Sequence, residues 1–391
     1  PECLERSGHV RTVYLDYNAT TPLDEGVWEC MVPHMRNHYG NPSSIHRVGR
    51  DAKAHLDEAR YDLSELWKCK PSEIVFTSGG TESNNLAIFG TARLLKSKGR
   101  HLVCSAIEHH AVLHCFEYLA EKEGFDLTIL PVDGEGRVDP KTVREAIRED
   151  TQLVSVMAAN NEIGTIQPIA EIGAICRERG VLFHTDAVQW FGKEPVESIH
   201  QFNADLVSVC AHKLHGPKGS GALFIRSPLL PDKILFGGAH ENERRAGTEN
   251  LAAIVGLVEA LKRFSNPPVF SQESIREAKR CLRESLLTIP EVDILTPQTG
   301  SLQNTLSFTV NGCDSIGLLA GLDLEGICAS SGSACSVGSL EPSHVVLAMG
   351  ISRDKANALV RLSLGKETSQ EDLPYANEMI PRVLKRCLVV K

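Results

Sequence analysis

The chain has 391 residues, 42% hydrophobic and 23% charged, which is an ordinary globular composition, long enough for two or three domains and unlike a disordered chain. Its 41 Lys+Arg against 50 Asp+Glu leave a net charge of −9, which argues against nucleic acid or an anionic membrane as the main partner. No apolar run approaches the ~20 residues of a membrane helix, and no basic-then-apolar signal segment opens the chain, which starts at Pro1 rather than Met as if processed or missing its start.

The first two-thirds alternate β-rich runs with helical patterns. Strands are expected at Val13–Asp16, Ile74–Thr77, Leu102–Ser105, Leu153–Met157, Leu182–Asp186, Leu206–Cys210 and Ala222–Ile225. Helices are expected at Asn84–Ser97, Ala111–Glu123, Pro140–Glu149 and Ile169–Arg179. This alternation predicts a mostly parallel sheet covered by helices on both faces. A helix over Asn250–Phe264 leads to a joint at Asn266-Pro267-Pro268. After it a smaller α+β unit is expected, with a helix over Ser271–Thr288, strands Val292–Leu295 and Thr305–Val310, and a helix over Asp314–Glu325. A Ser/Gly loop, a strand around Val360–Leu364 and a closing helix to about Cys387 complete it.

Twelve cysteines are spread along the chain with no C-x-x-C pair and no zinc-ligand spacing, so no metal site is expected. Cys104 in HLVCSA and Cys176 in IGAICRERG read as small buried hydrophobes, and reduced thiols in a cytoplasmic setting are expected.

Three segments carry chemistry. In EIVFTSGGTESNN a strand ends at Ser78-Gly79-Gly80-Thr81 and a helix begins, offering close backbone approach and a helix N-terminus to a phosphate. The alternative is a plain strand–helix turn, and neither a Walker loop nor G-x-G-x-x-G is present. In LFHTDAVQ, Asp186 ends an apolar strand and should face the crevice at the carboxyl edge of the sheet, where a carboxylate needs a cation or hydrogen bonds; alone it reads more readily as a helix N-cap. In DLVSVCAHKLHGPKGSG, Lys213 follows another strand end, where a sheltered amine becomes a nucleophile, although most lysines are simply solvated. The spacing of His212 and His215 recurs by chance and no acidic ligand follows it. A phosphate cup, a strand-end Asp and a strand-end Lys together are what pyridoxal 5′-phosphate (PLP) requires.

LDYNATTP, GNPSSIHRVGR, FTSGGTESNN, EHHAV, NNEIGTIQ, HTDAVQ, AHKLHGPKG, RRAGTEN and SSGSACSVGSLEPSHVVLAMG, in this order across nearly the whole chain, resemble the cysteine desulfurases of the NifS/IscS group. The resemblance implies a homodimeric α/β enzyme of PLP fold type I. A large cofactor-binding domain over 16–265 would carry a mostly parallel seven-stranded sheet, and a small α+β domain over 1–15 and 266–391 would carry the catalytic loop at about 328–342. It implies that Lys213 carries PLP, that Asp186 partners the pyridine nitrogen and Gln189 the phenolate oxygen, and that His109 stacks on the ring and relays protons. Asn161 would lie by the ring and substrate, and Gly80, Thr81, Cys210 and His212 would line the phosphate, which Thr248 would reach from the other subunit. Cys210 stands where the family usually has serine, a better hydrogen-bond donor. Arg361 would clamp the substrate carboxylate, and Cys335, in its Ser/Gly loop, would be the nucleophile that takes the sulfur of L-cysteine as a persulfide. Cys328 reads as the more buried neighbour. The sulfur would pass to an acceptor such as an iron–sulfur scaffold or another carrier. Selenocysteine lyase shares the fold and most motifs, and the long loop with SLEPSHVVLAMG favours the desulfurase branch. A non-enzymatic cysteine-rich metal or iron–sulfur protein is disfavoured by the scattered cysteines.

Overall fold

The structure, a computed structural model, describes residues 11–332, 341–368 and 371–389. Strands β1 (Val13–Tyr14), β2 (Ile74–Thr77), β3 (His101–Ser105), β4 (Asp126–Leu130), β5 (Thr151–Ser155), β6 (Leu182–Asp186), β7 (Leu206–Cys210) and β8 (Gly221–Ile225) are followed by β9 (Val292–Ile294), β10 (Thr305–Val310), β11 (Ile327–Cys328) and β12 (Leu359–Ser363). The helices are α1 (Glu25–Arg36), α2 (Arg47–Trp67), α3 (Gly80–Leu94), α4 (His110–Glu123), α5 (Pro140–Ala146) and α6 (Ile169–Arg179), then α7 (Leu251–Phe264), α8 (Glu273–Leu286), α9 (Ser315–Leu324), α10 (His344–Ala348), α11 (Arg353–Ala356) and α12 (Asp372–Val389).

A seven-stranded sheet in the order β2-β8-β7-β6-β5-β3-β4 forms the centre, and only β8 runs against the others. The strands β5, β7 and β8 are buried along their whole length and β6 from Phe183 on, as apolar runs covered on both faces by helices must be. The expected mostly parallel sheet is therefore present. One further strand, β4, lies at its edge, and its half-exposed DLTIL gave no clear apolar run to read. The carboxyl ends of β2, β5, β6 and β7 share one edge of this sheet, and the site lies there.

The C-terminal third builds an antiparallel sheet in the order β12-β10-β9, backed by α8, α9 and α12. The N-terminal β1 joins it through a parallel pair with β11, and Asp16 continues as a bridge to Ser363. One apolar cluster runs from Val13 and Leu15 through Phe183 and Phe191 to Phe308 and Leu362, so a single core fixes the small sheet against the large one. The ten described cysteines are free thiols; Cys104 and Cys176 are buried as expected, while Cys328 is half-buried on β11. No described helix is long and apolar enough to cross a membrane.

Candidate active site

At the shared strand edge lies a cavity of about 220 Å³. Its lining brings together Gly80, Thr81, His109, Asn161, Asp186, Gln189, Cys210, His212, Lys213 and Arg361. Of the remaining expected residues, Thr248 is exposed and outside this lining, and Cys335 lies outside the described residues.

The anion cup is built by backbone. Gly79 has φ 150° and ψ −176°, a conformation open in practice to glycine alone, and it turns β2 into α3. A Cβ on Gly221 would come within 2.7 Å of Gly79 Cα, so the strand beside the turn must also be glycine. No side chain caps α3, so its first N–H groups remain for a ligand. The helix starts four residues earlier than its apolar period suggested, which puts Gly80 and Thr81 in its first turn.

Asp186 ends β6, nearly buried. Its Oδ1 accepts from Val188 N at 2.9 Å and its Oδ2 from Asn84 Nδ2 at 2.7 Å. It forms no ion pair among the described residues, so lone pairs remain for a protonated ring nitrogen. Lys213 follows β7 and its Nζ donates to Asn18 O at 2.8 Å and Ala19 O at 2.7 Å. Cys210, also on β7, is enclosed, and burial pushes its thiol up to about 11, so it offers a neutral S–H. Burial and the charge of Lys213 hold His212 down to about 4, and its ring meets Thr20 Oγ1 at 3.2 Å. His109 caps α4: its Nδ1 accepts from Ala111 N at 3.1 Å, so the neutral ring carries its proton on Nε2.

Arg361 reaches the cavity from β12 and is almost wholly buried. Its Nη2 donates to Asp16 Oδ1 at 2.7 Å and its Nη1 to Gly332 O at 2.7 Å and Asn161 O at 3.0 Å. Its Nε has no partner among the described residues, an unspent donor on a charged group. The two described ends of the segment that carries Cys335 meet close by, since Ser343 Oγ donates to Glu162 Oε2 at 2.5 Å and a Cβ on Gly332 would lie 2.8 Å from the same oxygen.

Four residues with these duties were not read from sequence as site residues. Asn18 is a buried hub: its carbonyl receives Lys213 and Gln189 Nε2, its side-chain nitrogen donates to Asn161 O at 3.1 Å, and its Oδ1 accepts from Lys193 Nζ at 2.9 Å. Lys193, fully buried, also donates to Gln189 Oε1, which fixes the Gln189 amide with its nitrogen turned the other way. Asn84 and Glu162 complete the set. Asn18, Asn84 and Glu162 stood inside quoted motifs, while Lys193 had no signal beyond a lysine amid apolar residues.

The pocket fits PLP. A carboxylate with no ion pair among the described residues, an uncapped helix start with a glycine-only turn, and a tethered lysine stand around one cavity that Arg361 also lines. The matched model of the aminotransferase class-V family covers residues 13–375. The chain belongs to the class-V aminotransferase family. It is 45% identical to "Cysteine desulfurase IscS" of Dictyoglomus turgidum over 377 residues, 96% of this chain and 95% of that one. A solved "NIFS-LIKE PROTEIN" is similar with a TM-score of 0.89 and 35% identity, covering 96% of this chain and 100% of that chain. A structure titled "SspA in complex with cysteine" has a TM-score of 0.80 and 35% identity, over 90% of this chain and 99% of that one.

Proposed function

We propose that this class-V family member is a PLP-dependent cysteine desulfurase that converts L-cysteine to L-alanine and holds the sulfur as a persulfide on Cys335. The observation that carries the reading is the meeting, in one cavity, of Lys213, Asp186, the α3 cup and Arg361. Bound PLP supplies an electron sink for bond breaking at the amino carbon of the substrate. Lys213 would hold the cofactor and move the α-proton on its Nζ. Asp186 would keep the ring nitrogen protonated, Gln189 would donate to the ring oxygen, and His109 would stack and relay a proton through Nε2. Gly80, Thr81, Cys210 and His212 would hold the phosphate, and Arg361 with Asn161 the substrate. The Cys335 thiolate attacks the substrate sulfur: an S–S bond forms as the C–S bond breaks, the electron pair goes to carbon, and protonation there yields alanine. Three residues of chain from Gly332 span at most about 11 Å, which supports delivery of that thiol to the cavity.

A homodimer, with Thr248 completing the partner's phosphate cup, is supported by the exposure of Thr248 and its place outside the cavity lining. The pairing of β1 with β11 supports the division into a unit over 16–265 and one over 1–15 and 266–391. The free thiols support a cytoplasmic setting, and the persulfide would pass to a sulfur acceptor protein, an iron–sulfur scaffold or another carrier.

The test is turnover of L-cysteine with a reductant present. Alanine and sulfide should appear in equal amounts, borohydride should fix the pyridoxyl group on Lys213, and Cys335→Ala should keep the cofactor band and cysteine binding while losing nearly all alanine release. Parental turnover by Cys335→Ala, or a persulfide mapped to Cys328, would overturn the assignment.

A further inference from the structure

We propose a second site, unconnected with the cavity above, that binds a divalent transition-metal ion between the end of α1 and the start of α2. His34 stands in the last turn of α1 and His38 just past its end, four residues on. Asp51 and His55 are likewise four apart, on one face of α2. Two such pairs face each other. The rings of His38 and His55 are 4.2 Å apart between centroids, and His34 lies 4.9 Å from His55 and 5.3 Å from His38. One ligand atom from each of His38, Asp51 and His55 lies within 4.8 Å of the other two.

A zinc ion takes imidazole nitrogen and carboxylate oxygen at about 2.0–2.2 Å, so neighbouring ligand atoms sit about 3.3 Å apart, and side-chain adjustments of about an ångström close the set. His38 Nδ1 meets Asp51 Oδ2 at 2.7 Å, a contact between two ligands that the ion would replace, while His55 Nδ1 meets Glu58 Oε2, an acid outside the ligand set, at 3.5 Å. A carboxylate in this second relation holds a ligand ring in place and raises its basicity. Nδ1 of His34 is buried without a hydrogen-bond partner among the described residues, and its ring lies 4.9 Å from that of His55, so a turn of this side chain would bring a nitrogen to a fourth position. Two imidazoles with one carboxylate select zinc, cobalt, nickel or copper over magnesium or calcium. The bound ion would tie α1 to α2 and close residues 37–46 between them, adding to folded-state stability.

The experiment takes the PLP-loaded protein, stripped with a chelator, and titrates it with zinc by calorimetry, then records X-ray absorption of the loaded sample. One zinc per chain is expected with a nitrogen and oxygen shell. His38→Ala with His55→Ala should remove that equivalent, and Glu58→Gln, which keeps the fold and alters only the support of His55, should weaken it by about tenfold. Three results would each overturn the site: no zinc bound by the parent, equal binding by the parent and the double variant, or a sulfur shell, which would place the metal on thiols such as the exposed Cys281.

Discussion

Glu108 illustrates how far a single residue departs from its solution chemistry beside this cavity. It is fully enclosed, its Oε1 accepts from Ser105 Oγ at 2.5 Å and Met157 N at 2.8 Å, and its Oε2 has no partner among the described residues. Burial pushes its carboxyl up to about 8. The folded chain therefore holds a proton that the unfolded chain releases near pH 4.5, so this group favours folding at low pH and that contribution is lost as pH rises from about 4.5 through about 8. Glu108→Gln keeps both accepted bonds and removes the titration. Its melting temperature should fall less than that of the parent between pH 5 and pH 8, and an identical slope in calorimetric scans would refute the buried neutral acid. The sequence showed Glu108 only as one letter of EHHAV, because its state depends on Ser105 and Met157 closing around it. Asp186 and Lys213 were legible for the opposite reason: a strand end can be read from a short apolar run, and a strand end faces the crevice. Lys193 was not, since its meaning lies in Asn18, 175 positions away.

Among the elements, legibility followed apolar contrast. β2, β6, β7 and β10 are as the sequence predicts because their runs are apolar and cleanly bounded. α2 was not read, although Ala52, Leu56, Ala59, Leu63 and Trp67 form a buried stripe, because two of those positions are alanines and the helix is otherwise strongly polar. α1 buries only Val27 and Met31 and contains Pro33, which argues for a break rather than a helix. These two unread helices carry the histidine cluster, so a metal site was invisible while its scaffold was. The turn into α3 shows the reverse, a short element read correctly from its glycines. There Gly79→Ala should strain the backbone by about 1–3 kcal/mol, since nothing lies within 4 Å of the added Cβ and only φ opposes it. The cup relaxes to escape that strain, so PLP affinity should drop by about tenfold or more, while Gly134→Ala, in open space with ordinary φ, should leave it unchanged. Fluorescence titration of the apoprotein with PLP measures both, and equal affinities would show that the turn does not set the cup.

At the scale of the molecule, the cavity exists because distant parts of the chain converge. Asn18 and Asp16 run beside β12, Arg361 comes from the small sheet, and Asp186 and Lys213 come from the large one. The sequence indicated the two sheets separately, and the β1–β11 pair that brings the N-terminal segment to the small sheet is too short to leave a pattern. The proposed convergence between subunits is decided by mixing them. If Thr248 serves the partner's cup, a dimer made from one Lys213→Ala subunit and one Thr248→Val subunit has one cavity with both its own Lys213 and an intact Thr248 from across the interface. Its other cavity lacks both. Such a hybrid should bind one PLP at parental affinity and show about half the parental cysteine turnover, although each parent homodimer is impaired. If Thr248 acted within its own chain, the cavity with Lys213 would be the one with valine, and no site in the hybrid would match the parent. Thr248 is exposed while a side chain serving its own cup would turn inward, which favours the first outcome. Two affinity tags isolate the hybrid, and the stoichiometry of the tight PLP site distinguishes the two arrangements without relying on turnover.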